Sequence, residues 1–95
     1  MRRNYYKLGE GSKYPGSIYY PDPSPADLSY AMEDAWGKPS VVYSQTTYHT
    51  FILSTYWTRE GVMCDLEEHD NNLNVVFKAT MGVREATNYI LQTIK

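Results

Sequence analysis

A chain of 95 residues, 42% apolar and 15% aromatic, has material for one hydrophobic core, and a second domain would need about 50 more residues. Only 21% of residues are charged, which excludes wholesale disorder. The net charge of −2 hides an asymmetry: residues 1–20 carry Arg2, Arg3, Lys7 and Lys13 against Glu10, a balance of +3, while the other 75 residues hold five basic and ten acidic groups, or −5.

Met1-Arg2-Arg3-Asn4 runs into Tyr5-Tyr6-Lys7 and not into an apolar stretch, so neither a signal peptide nor a membrane anchor is expected. That places the chain in the cytoplasm, the host's if the source is viral. Gly9-Glu10-Gly11-Ser12, Pro15-Gly16 and Pro21-Asp22-Pro23-Ser24 break regular structure, which makes residues 1–24 an irregular arm. Tyr5, Tyr6, Tyr14, Ile18, Tyr19 and Tyr20 are too many large faces for a free tail. The arm should dock on the domain, with Ser17-Ile18-Tyr19-Tyr20 as a short edge strand.

A single domain is expected over 25–95. Ser24-Pro25-Ala26-Asp27 supplies a hydroxyl cap, a proline at the first helical position and a carboxylate in the first turn. Leu28, Met32, Ala35 and Trp36 then form an apolar stripe, and Gly37-Lys38-Pro39 stops the helix at 36. Extended runs follow at Ser40–Thr47, at Tyr48–Thr58 with Phe51, Leu53, Thr55 and Trp57 on one row, and at Val62–Glu67 with Val62, Cys64 and Leu66 inward. Glu68-His69-Asp70-Asn71-Asn72 reads as a polar turn into a fourth run whose inner row is Leu73, Val75, Phe77 and Ala79. Residues 82–95 carry Val83, Ala86, Ile90, Leu91 and Ile94 at helical spacing. The predicted fold is α+β: a four-stranded antiparallel meander packed with two helices in the order α-β-β-β-β-α.

The stretch from Asp27 through Ala79, a short helix ending in Trp36-Gly37-Lys38-Pro39 and running into antiparallel strands, resembles the repeating unit of bacterial β-lactamase-inhibitor-like and small outer-membrane-assembly lipoproteins. The junction is also an ordinary helix stop, and no residue role follows from it.

Motifs that carry chemistry are not legible. Asp65, Glu67, Glu68, His69 and Asp70, with His49 elsewhere, lack the glycine-centred loop of a calcium site and the Cys or His pairs of a zinc site, so no metal is expected. Cys64 sits on an apolar strand row, which predicts a core thiol and not a nucleophile. Gly9-Glu10-Gly11-Ser12 follows no strand and opens no helix, so no phosphate cradle and no cofactor are expected. The sequence predicts no catalytic residues and no enzyme.

What remains is surface chemistry. The chain has ten tyrosines, and Tyr43, Tyr48 and Tyr56 fall on outward rows near the acidic group Asp65, Glu67, Glu68 and Asp70. Phenol rings with polar tips suit recognition surfaces. The expected function is a small protein-binding module, of the kind used by viral or mobile-element inhibitors of a host enzyme or by immunity proteins, as monomer or homodimer. Set side by side with Asp27, Glu33 and Asp34 of the first helix, the outward acids would mimic phosphates. The alternative is a nucleic-acid accessory protein that stacks bases on the basic arm through Arg2, Arg3, Tyr5, Tyr6, Lys7 and Lys13.

Overall fold

The computed structural model describes residues 6–7, 9–11, 17–21, 24–37, 40–44 and 49–93. In chain order the elements are β1 (Tyr6–Lys7), β2 (Ile18–Pro21), α1 (Pro25–Asp34), β3 (Ser40–Ser44), β4 (His49–Thr58), β5 (Gly61–His69), β6 (Val75–Gly82) and α2 (Val83–Thr93). The fold is α+β, and the strands form a six-stranded sheet in the order β1-β2-β3-β4-β5-β6. Neighbours β3 to β6 run antiparallel, as short connections require, whereas β2 pairs with β3 in parallel across α1. The run expected at an edge is therefore second from the edge, because Tyr6 and Lys7 pair antiparallel with Tyr19 and Ile18 outside it.

The two helices share one face of the sheet. Leu28, Ala31, Met32 and Ala35 of the first segment, and Ala86 and Ile90 of α2, close over Tyr20, Val42, Phe51, Leu53, Cys64 and Leu66. Those strand residues lie on one row because side chains alternate with period two along a strand and the registers bring Val42 to Phe51, Leu53 to Leu66 and Thr55 to Cys64. Tyr20, from the arm, is fully buried there, and its hydroxyl donates to the Asp34 carboxylate of α1. Cys64 is buried, and removal from water pushes its thiol up to about 11.

The start of α1 follows from its sequence. Ser24 Oγ accepts from the Asp27 N–H at 3.1 Å, and Pro25 occupies a position whose N–H would have no helical partner. Its other end is held by the sheet. β3 begins at Ser40, opposite Leu53, so β4 beyond Leu53 has no β3 partner; the chain leaving α1 takes that place, with a parallel bridge from Trp36 to Thr55. The Thr55 N–H donates to the Ala35 carbonyl at 3.2 Å, and Thr55 Oγ1 donates to the Met32 carbonyl at 3.0 Å. Gly37 then turns away at φ 84°, a left-handed conformation that suits glycine. Among the described residues no helix is long and apolar enough to cross a membrane.

Candidate interaction surfaces

The expected acidic patch divides across the sheet. β5 extends to His69, so period two continues inward through Val62, Cys64, Leu66 and Glu68, and outward through Met63, Asp65, Glu67 and His69. Glu68, expected outward, is only 4% exposed. This corrects the reading of a turn beginning at Glu68: the alternation that buries Leu66 also buries the residue two places on. The Glu68 carboxyl accepts from the Tyr89 hydroxyl at 2.5 Å, as a buried polar group needs a partner, and His49 Nδ1 lies against its second oxygen. Tyr89 in turn stacks on Phe77 at 4.6 Å and meets Phe51 edge to face. Burial first, then the bond to Glu68, pushes the Tyr89 phenol up to about 12.

The residues that do face outward form a smaller group. Asp65 Oδ1 accepts from the Tyr56 hydroxyl at 2.9 Å and from Thr80 Oγ1 at 2.7 Å, which ties β4, β5 and β6 together. The bond to Asp65 raises the pKa of the Tyr56 phenol. Ile52, Ser54, Glu67, Lys78 and Thr80 line the same face, which no described helix covers, with Asp65 around a depression of about 480 Å³. Glu67 lies 3.9 Å from His69 Nε2. Asp70 turns back on its own loop: the N–H groups of Asn74 and Asn72 and the Asn74 amide donate to it, which lowers its pKa. It acts as the cap of the β5–β6 turn. The α1 acids lie on the opposite face of the sheet, Asp34 with the Tyr20 hydroxyl, so the two acidic groups do not meet.

Tyr48 lies outside the described residues, and so does the Tyr43 side chain, whose backbone pairs with Thr50. Of the arm residues suited to nucleic acid, Arg2, Arg3, Tyr5 and Lys13 lie outside them as well. Tyr6 and Lys7 form β1, with Lys7 exposed.

The most exposed aromatic side chain among the described residues is Trp57, 71% exposed although it continues the row Phe51, Leu53, Thr55. Trp36, at the end of the α1 stripe, is 48% exposed and meets Trp57 edge to face with ring centroids 6.1 Å apart. Beside them an open cleft of about 630 Å³ runs between the helices. Pro25, Ser29, Met32, Glu33 and Trp36 form its α1 wall, Val83, Arg84, Thr87 and Asn88 its α2 wall, and Thr55 and Val62 its floor. The signal for this site was present as the row assignment of Trp57; what hid it is that helix length decides how far along a row the cover reaches.

Compared with known proteins, the chain matches no family model, no curated protein and no solved structure.

Proposed function

We propose that this chain is a small protein-binding module without catalytic activity, which works by occupying a partner's surface. The observation that carries the reading is the exposed Trp36–Trp57 pair, of which Trp36 lines an open cleft. Two indoles left this open, at 48% and 71% exposure, are a cost to an isolated domain and a gain once a partner covers them. Tryptophan is also the side chain most enriched at interface hot spots, because one rigid ring buries a large area at low entropic cost. The sheet face with Tyr56, Asp65 and Glu67 offers a second, more polar contact region.

In this reading the four-stranded antiparallel meander and its helices are a rigid scaffold, and the arm before them braces it. A module of this size with such a surface suits a viral or mobile-element inhibitor of a host enzyme, or an immunity protein, acting in the cytoplasm. The test is a stoichiometric complex in native lysate of the source cells, measured by size exclusion with light scattering. Trp57→Ala and Trp36→Ala should each abolish it while circular dichroism stays unchanged. A complex indifferent to both substitutions, or a chain that runs alone, overturns the reading.

A further inference from the structure

The cleft also has a chemical polarity, which narrows what can occupy it; the inference rests on the proposed binding role and specifies its partner. The apolar part is Met32, Trp36, Val62 and Val83. The charged lining groups are Glu33 and Arg84. Glu33 is engaged within the chain. Arg84 is exposed and has no ion pair among the described residues.

The acceptors around the cleft are spent in the same way. At the end of α1 the carbonyls of Ala31, Met32, Glu33 and Ala35 accept from the Ala35 N–H, Thr55 Oγ1, the Trp36 N–H and the Thr55 N–H. The negative end of that helix is therefore answered internally. Thr87 Oγ1 donates back to the Val83 carbonyl. Donors remain on the other wall: the Arg84 guanidinium, in the first turn of α2 where the helix dipole reinforces its charge, and the exposed Asn88 amide. A guanidinium with no ion pair among the described residues, beside Trp36, Val62 and Val83, calls for a ligand that pairs a carboxylate with bulky apolar groups, since guanidinium and carboxylate match as a two-pronged charged hydrogen bond.

Shape indicates a chain segment over a compact molecule. The α1 wall runs from Pro25 to Trp36, a trough about 16 Å long at a rise of about 1.5 Å per residue. An extended peptide covers that length with about five residues at about 3.3 Å each. We infer that the cleft binds a short segment of a partner protein in which an aspartate or glutamate neighbours one or two large apolar side chains, the carboxylate on Arg84 and the apolar groups against Trp36, Val62 and Val83.

The probe is an array of degenerate ten-residue peptides in which acidic, basic or amide residues alternate with Leu, Ile, Phe and Trp, incubated with the full chain. Acidic–apolar peptides should be retained, and salt should weaken them. Trp36 lines the cleft and Trp57 meets its ring, so a retained peptide titrated in solution should shift tryptophan emission to the blue. Arg84→Gln should weaken binding at least tenfold without moving the urea midpoint, and Trp36→Ala should abolish it. Retention with no preference for carboxylates, or an Arg84→Gln affinity equal to wild type, overturns the partner chemistry and leaves the binding role standing. Retention of no peptide also overturns this inference, while the complex in lysate decides the underlying role independently.

Discussion

At the scale of single residues, the group with the most at stake is Glu68. A carboxyl enclosed by Phe51, Phe77 and Tyr89 depends on its donors, because water cannot replace them. Tyr89→Phe should cost about 1–3 kcal/mol at neutral pH, the usual penalty for leaving a buried acceptor short of a partner. The same phenol sets an alkaline limit. Tyr89 rises from 10.0 to about 12 and Cys64 from 9.0 to about 11 on folding, so the native state holds both protons more tightly than the unfolded chain. Their contribution is complete below about pH 9 and is lost as pH climbs from there to about 12. Urea midpoints at neutral and alkaline pH should show a steep decline in the wild type and a shallower one above pH 10 in Tyr89→Phe. Equal slopes would contradict this account. By contrast, the Tyr56 phenol is solvent-exposed, and Tyr56→Phe should leave the midpoint where it is.

At the scale of elements, α1 shows how local and distant information combine. Its beginning was legible in Ser24-Pro25-Ala26-Asp27, since a cap is made by neighbours in sequence. Its end was only half legible. The helix ends at Asp34 with Ala35 as its cap, two residues short of the expected 36, and Gly37 only turns the chain beyond it; the clamp is Thr55, about twenty residues on, and no spacing rule links Thr55 to the Met32 carbonyl. Thr55→Val keeps the side-chain shape and removes that donor. We expect a loss of about 1–3 kcal/mol together with altered tryptophan fluorescence, because Trp36 hangs from the same bridge. A variant with native stability and native emission would show that the clamp is dispensable. The strand rows were read correctly wherever period two decides, as for Cys64 and Leu66. They failed where another signal competed, since the acidic run masked the inward place of Glu68, and the row of Phe51 and Leu53 did not show that Trp57 at its end is exposed. β6 departs from its expected inner row for a third reason. A register shift at Glu68/His69 and a positive φ of 65° at Leu73 release Leu73 and Val75 to solvent.

At the scale of the whole molecule, the arm belongs to the sheet. Composition marked residues 1–24 as irregular, and among the described residues there Tyr6–Lys7 and Ile18–Pro21 are strands. Ile18–Pro21 nevertheless lies between β1 and β3, a pairing that no local pattern encodes because its partner Ser40–Tyr43 follows a complete helix. Tyr20 is the consequence: a fully buried ring that joins the arm to the core and to Asp34. Tyr20→Ala should cost about 3–5 kcal/mol, the range for deleting a large buried ring. That is a large share of the ~5–14 kcal/mol expected for a chain of this length. Chemical denaturation would register it as a midpoint shift with little change in slope, and a loss under about 1 kcal/mol would mean the ring is replaceable by neighbours.

The parallel insertion of β2 also bears on how the chain assembles during synthesis. The slot for Ile18–Pro21 does not exist until β3 has left the ribosome and been pinned by β4, so a strand made before α1 and β3 finds its place after them. The β4–β5 hairpin, closed by Arg59-Glu60 with Gly61 at φ 118°, needs only neighbouring residues and can form early. Translation and assembly thus run in opposite directions at this strand, and the nascent chain must hold Ile18–Pro21 ready until the strands behind it have emerged.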